Sequence, residues 1–201
     1  VHGTTITLLN ACRKIDNDGP AGKLFLTAGL GGMSGAQPKA GNIAGVISVT
    51  AEINPKASFK RHEQGWVDEI INDLDELCIR VKIAKKNKEV VSIAYDGNII
   101  DVWEKFHSED IFIDLGSDQT SLHNPWAGGY YPRGISFDQA NDMIRKNPEK
   151  FKEKVKDSLI KHAGFIKKHT DKGTYFFDYG NAFLLEASRA GADVMSKDGI
   201  N

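Results

Sequence analysis

Ala28-Gly29-Leu30-Gly31-Gly32-Met33-Ser34-Gly35-Ala36-Gln37 is the stretch on which the fold turns. Its glycines follow a β-prone run, Lys23–Ala28, that is apolar on both faces, as a strand buried inside a parallel sheet is. A helix of small residues is expected next, with Ala36, Ala40, Ile43 and Ala44 on one face. Strand, glycine turn and helix in that order surround an anion with backbone N–H groups and the positive end of a helix dipole, the arrangement that binds a pyrophosphate. The spacing departs from G-x-G-x-x-G. Gly29 and Gly31 fit, Ser34 stands where the third glycine belongs, and Gly35 comes one place late. Ser34 with Gln37 three residues on has the pattern of a capping box, while Pro38 in the first helical turn leaves Gly35 as the other candidate cap.

Outward from this turn, strand and helix alternate. Val46–Ile53 is a β-branched strand, and Glu52 at its end follows Gly29 by 23 residues. An acid at that place accepts hydrogen bonds from an adenosine ribose and repels a 2′-phosphate, which favours NAD over NADP; Lys56, Lys60 and Arg61 nearby soften the preference. Alone, Glu52 would read as a surface acid at a strand end. A helix is expected at Thr4–Arg13, a turn-rich linker at Asp16–Gly22, and an amphipathic helix at Val67–Lys86 with Ile70, Ile71, Leu74, Leu77, Cys78 and Val81 at helical spacing. Val90–Tyr95 is a third strand ending in Asp96-Gly97-Asn98, and Ile99–Phe106 a helix. Ile111–Leu115 is a fourth strand, followed by a loop to Pro132; helices at Ser136–Arg145 and Pro148–Lys168, a fifth strand at Thr174–Phe177 and a helix at Ala182–Ala190 complete the chain. The expected fold class is α/β, a Rossmann-like open and mostly parallel sheet with helices on both faces, formed by residues 1–201 as a single domain. Ligands of such sheets bind outside the carboxyl ends of the strands, where these polar loops fall.

The bulk composition narrows the function. With 26 basic and 27 acidic residues the net charge is −1, so no global field draws nucleic acid or an anionic membrane. The longest apolar runs, such as Ile43–Thr50, are too short to span a bilayer, and no leader pattern opens the chain. Cys12 and Cys78 lie far apart on helices and read as buried thiols of a reducing cytosol, with a disulfide as the alternative. The histidines 2, 62, 107, 123, 162 and 169 show no metal-ligand spacing, and no G-x-S-x-G elbow or Walker motif occurs. Lys146–Lys172 interleaves lysines with Glu149, Glu153, Asp157 and Asp171 over an apolar face of Phe151, Val155, Leu159 and Ile166, the pattern of a solvated helix. The glycine turn and Glu52 alone would serve an NAD-dependent dehydrogenase or a non-catalytic nucleotide-binding module equally well.

Thr27–Ala40, TAGLGGMSGAQPKA, resembles the signature of the urocanase (urocanate hydratase) family. The resemblance continues through the Glu52 strand, Gly65-Trp66-Val67-Asp68-Glu69, Val91-Ser92-Ile93-Ala94 with Gly97-Asn98, Asp118-Gln119-Thr120-Ser121 with His123, and Phe177-Asp178-Tyr179-Gly180-Asn181. It implies a cytoplasmic hydro-lyase of histidine degradation that adds water to urocanate to give imidazolonepropionate, with tightly held NAD+ as electrophile, in homodimers of the full-length protein. Carried over, it implies that Gly32, Met33 and Ser34 line the pyrophosphate and Glu52 holds the adenosine ribose. Asn98 and Ile99 would contact the cofactor, while Gln119, Thr120, Ser121, Leu122 and His123, with Tyr130, Tyr131 and Tyr179, would approach the nicotinamide half. Many bacterial members have an arginine where this chain has Ala57, and Lys56, Lys60 and Arg61 are the candidates to replace it. The family's catalytic cysteine would fall beyond Asn201. The chain is therefore expected to be the NAD-binding domain of a longer urocanase, with no catalytic residue of its own and little or no activity alone.

Overall fold

A computed structural model describes residues 1–32, 34–118, 124–178 and 182–194. Among them, six parallel strands form one sheet: β1 (Leu24–Ala28), β2 (Ile47–Glu52), β3 (Glu69–Ile71), β4 (Val91–Asp96), β5 (Leu115–Gly116) and β6 (Tyr175–Phe176), in the order β3-β4-β2-β1-β5-β6. From β1 the chain passes to β2, then to the edge strand β3, inserts β4 between those two, and returns to lay β5 and β6 on the other side of β1. The reversal falls between β1 and β5, the switch point at which open α/β sheets part their loops and leave a crevice.

Helices cover both faces. α1 (His2–Ile15) and α2 (Gln37–Ala44) pack on one, where Leu8, Ala11, Cys12, Ala40 and Ala44 enclose Phe25, Val46 and Leu115. α4 (Leu74–Asn87), α5 (Ile99–Ser108), α7 (Pro148–Thr170) and α8 (Ala182–Ala190) contribute to the larger core on the other. Along β1 the period of two decides the allocation, since Leu24, Leu26 and Ala28 join the larger core while Phe25 between them joins the smaller. α2 lies close against the sheet because Gly41 faces β2; a Cβ there would stand 2.9 Å from the Ser48 side chain. The remaining helices are α3 (Pro55–Glu63) and α6 (Phe137–Lys146). In α7, Phe151, Val155, Leu159, His162, Ala163, Ile166 and His169 recur every three or four residues on the buried side, and the lysines occupy the solvated side as expected. Both cysteines are free and buried. No helix among the described residues is long and apolar enough to cross a membrane.

Three expectations change. Val67–Lys86 is not one helix: Glu69–Ile71 is the edge strand β3, paired with β4 from Glu69↔Ile93 to Ile71↔Tyr95, and α4 starts only at Leu74. Asp73 caps α4 by accepting from the Glu76 amide at 2.8 Å, so the apolar pair Ile70-Ile71 serves the sheet and the helical period begins after the cap. The fourth strand pairs at Leu115–Gly116, where Leu115 lies beside Phe25 and Gly116 beside Leu26, rather than along Ile111–Leu115. Gly116 admits the indole of Trp103, since a Cβ would come within 2.7 Å of it. Finally, no capping box starts α2. Ala36 holds the cap position without a side-chain bond, and Gln37 is wholly buried.

Candidate functional site at the carboxyl edge of the sheet

Gln37 is turned inward because the floor of the glycine turn is polar. Its side-chain oxygen accepts from the Thr27 hydroxyl at 2.8 Å and from Ser117 at 3.4 Å, and its side-chain nitrogen donates to the Ala28 carbonyl at 3.3 Å. Thr27 and Ser117 also share a hydrogen bond of 3.0 Å. Thr27 is the next-to-last residue of β1 and Ser117 follows β5, so this buried group joins the two strands that flank the switch point. A buried amide is stable only when so satisfied.

Above this floor opens a cleft of about 320 Å³. The end of β1 supplies Ala28, Gly29, Gly31 and Ser34; the end of β2 supplies Ala51, Glu52 and Asn54, with Ala57 from α3; the end of β4 supplies Gly97, Asn98 and Ile99. Gly129, Tyr130, Tyr131 and Phe137 form the far wall. Of the residues expected from sequence, Ser34, Glu52, Asn98, Ile99, Tyr130 and Tyr131 come together here. Gly32 is exposed and does not line the cleft. Met33, Gln119, Thr120, Ser121, Leu122, His123 and Tyr179 lie outside the described residues.

Glu52 holds the turn in shape. One carboxylate oxygen accepts from the Leu30 amide at 2.6 Å and the other from the Asn54 amide at 2.9 Å. Burial pushes its carboxyl above the ordinary value, the amides of Asn54, Leu30 and Ile53 pull it back, and the charge of Asp96 on the neighbouring strand adds to the rise. The carboxylate keeps acceptor capacity for a ligand hydroxyl. Asn54 in turn caps α3 through the Lys56 amide at 3.2 Å, with Pro55 at the first helical position. The dipeptide Asn54-Pro55 was the available signal for this helix and for the part Asn54 plays in the cleft.

Asn98 caps α5 by accepting from the Ile100 amide at 3.0 Å, and its side-chain nitrogen donates to the Tyr131 carbonyl at 3.1 Å. Arg133 binds Asp101 and Glu104 of α5, fixing the same wall. Replacing Asn98 by alanine is expected to cost about 1–2 kcal/mol in urea unfolding, with Asn98→Asp restoring the cap but not the tie to Tyr131. Tyr130, buried at the back of the cleft, shares a 3.1 Å hydrogen bond with Nδ1 of His162. Burial, with the Asp118 charge a lesser cause, raises the Tyr130 phenol well above its ordinary value, and burial lowers His162 to about 3.

Of the three basic candidates near Ala57, Lys56 and Lys60 are exposed and only Arg61 reaches the glycine turn. Its Nε donates to the Leu30 carbonyl at 3.0 Å and a terminal nitrogen donates to the Gly31 carbonyl. The guanidinium also lies 5.0 Å from the centroid of the Trp66 ring and bonds Gln64 at 2.9 Å.

A parallel sheet with a glycine turn, a half-buried acid at the second strand end and a cleft across the strand termini defines a Rossmann-like α/β domain. The family model described as "Urocanase Rossmann-like domain" matches residues 1–198. The chain belongs to the urocanase family. It is 55% identical over 199 residues to a "Probable urocanate hydratase" of Caenorhabditis elegans, and 50% and 49% identical over 203 residues to the urocanate hydratases of Mus musculus and Homo sapiens. Each alignment covers 98% of this chain and 30% of the relative, so the chain spans about a third of the length of the curated relatives it matches.

Proposed function

We propose that this chain is the NAD-binding part of a urocanate hydratase. The observation that carries the reading is the cleft, which gathers the glycine turn, Glu52 and Asn98 at adjoining strand ends. The donor set suits NAD+: turn amides and the start of α2 for the pyrophosphate, Glu52 for ribose hydroxyls, and the Tyr130 and Tyr131 wall for the distal half. When bound, NAD+ supplies an electron-poor ring that activates urocanate for addition of water. Residues of this chain orient the dinucleotide and hold its charged centre. Gln119–His123 and Tyr179 are proposed to complete the nicotinamide side.

The test uses the full-length protein that contains this chain. With urocanate it should consume the substrate absorbance without accumulating NADH, and titration should show tighter binding of NAD+ than of NADP+. Steady NADH production would replace the hydratase with a dehydrogenase. Tighter NADP+ binding would refute the role given to Glu52. The 201-residue chain alone should leave urocanate unchanged.

A further inference from the structure

Gly35 stands one place late for a phosphate fingerprint, and Arg61 explains why. The guanidinium lies against the Gly35 backbone, where any Cβ would collide with it. Glycine at this position leaves room for an arginine. From that place Arg61 donates to two consecutive carbonyls, those of Leu30 and Gly31. In a planar trans peptide the carbonyl and the next residue's N–H point in opposite directions. Holding the carbonyls of Leu30 and Gly31 on the Arg61 side therefore turns the amides of Gly31 and Gly32 to the other side. Gly31 lines the cleft and Arg61 does not. Glu52 anchors the preceding peptide through the Leu30 amide at 2.6 Å. An acid and a base thus fix successive peptides, leaving a run of N–H groups directed away from the arginine, the geometry that receives an anion.

We infer that Arg61 is a positioning residue for the dinucleotide pyrophosphate: it acts on the phosphates through the glycine turn, by fixing which way two of its peptides face. The Gly31 carbonyl also accepts from the Gly35 amide at 3.1 Å, so the Leu30 peptide depends most on the clamp. Gly31 has no side chain to resist a flip of that peptide, and without Arg61 the Leu30 carbonyl is free to turn toward the phosphates and repel them. Trp66, stacked on the guanidinium at 5.0 Å, keeps the fork in place. The inference rests on the proposed NAD reading, and it adds a residue that the strand-end pattern does not include.

The experiment compares wild type, Arg61→Met and Arg61→Lys in the full-length protein. Dissociation constants are measured for NAD+ and for adenosine, which lacks phosphate, and amide hydrogen exchange is followed at residues 30–32 without ligand. Arg61→Met should weaken NAD+ by about ten- to a hundredfold, the loss of charged hydrogen bonds, while leaving adenosine within about twofold. Exchange at 30–32 should quicken in the same variant. Arg61→Lys keeps the charge without the fork, so it should recover only part of the NAD+ affinity; should Arg61→Met not fold, this variant decides alone. Wild-type NAD+ affinity in Arg61→Met, full recovery in Arg61→Lys, or an equal loss of adenosine would each overturn the clamp. If wild type binds no NAD+, the proposed function fails instead, and unchanged exchange in the variants would then overturn the clamp independently.

Discussion

Glu52→Ala should lower NAD+ affinity about a hundredfold or more, the largest functional effect expected from a single change in this chain. The substitution removes the acceptor for two backbone amides, Leu30 at 2.6 Å and Asn54 at 2.9 Å, together with the proposed partner of the ribose hydroxyls. Hydrogen bonds to a charged group contribute about 1.5–3 kcal/mol each, so losing the ligand contact and loosening the turn multiply to that size. Glu52→Gln separates the parts. Its amide oxygen still accepts one bond, but its NH2 group would face a backbone donor, and removal of the negative charge should narrow the preference for NAD+ over NADP+. Burial raises the Glu52 carboxyl above its usual value, so affinity should fall on acidification at a higher pH than an exposed glutamate would give. Titration calorimetry from neutral to mildly acid pH checks all three. NAD+ affinity within about twofold of wild type in Glu52→Ala would leave the acid with only the turn to hold.

The second large effect is on stability. His162 is fully buried in α7, its Nδ1 on the Tyr130 hydroxyl and its ring 4.6 Å from that of Phe183, and burial lowers its pKa to about 3. An unfolded histidine titrates near 6.5. Above that pH both states are neutral and the residue adds no pH dependence. Between about 6.5 and 3 the unfolded chain binds a proton that the folded chain refuses, so stability falls as pH falls, by about 1.4 kcal/mol per unit. Lowering the pH from 7 to 5 should therefore remove about 2 kcal/mol in urea unfolding, an upper figure for this residue. His169, also lowered by burial, acts in the same direction; Glu52, a carboxyl raised by burial, acts in the opposite one. The informative quantity is the change between the two pH values in His162→Asn, which keeps a polar atom near Nδ1 without the titration. That change should shrink by about 2 kcal/mol relative to wild type. An acid limb of full size in the variant would place its origin elsewhere.

The sequence disclosed most where local chemistry and position coincide. The run Lys23–Ala28, the glycines after it and the acid at position 52 each follow from strand burial and backbone geometry, and together they point to a cleft at the carboxyl edge of the sheet. β3 escaped because Ile70 and Ile71 satisfy a helical and a strand pattern equally, and only pairing with β4 decides between them. The start of α4 was nonetheless written in the sequence, in Asp73 followed three residues later by Glu76. Gln37 was misplaced for a different reason. The local pattern offered it a cap, whereas Thr27 and Ser117, the latter 80 residues away, offered it a buried site. Arg61 was one of three basic neighbours with nothing in the linear order to choose among them. The choice depends on the turn of α3 that brings its side chain to Leu30 and Gly31. Phe137 carried no signal at all, since its place in the cleft depends on how the loop before α6 returns to the sheet.

The strand registers make this sheet mechanically uneven. β1, β2 and β4 are joined along five and six residue pairs, whereas β5 meets β1, and β6 meets β5, along two each. Loaded across its width, such a sheet tears at its shortest seam, and the seam nearest its middle is the one between β1 and β5. The Gln37, Thr27 and Ser117 side chains cross that line with hydrogen bonds no strand ladder supplies. They work as a rivet. A chain without them would part there first, with β5, β6 and the helices above them peeling away as a flap from a plate that stays whole.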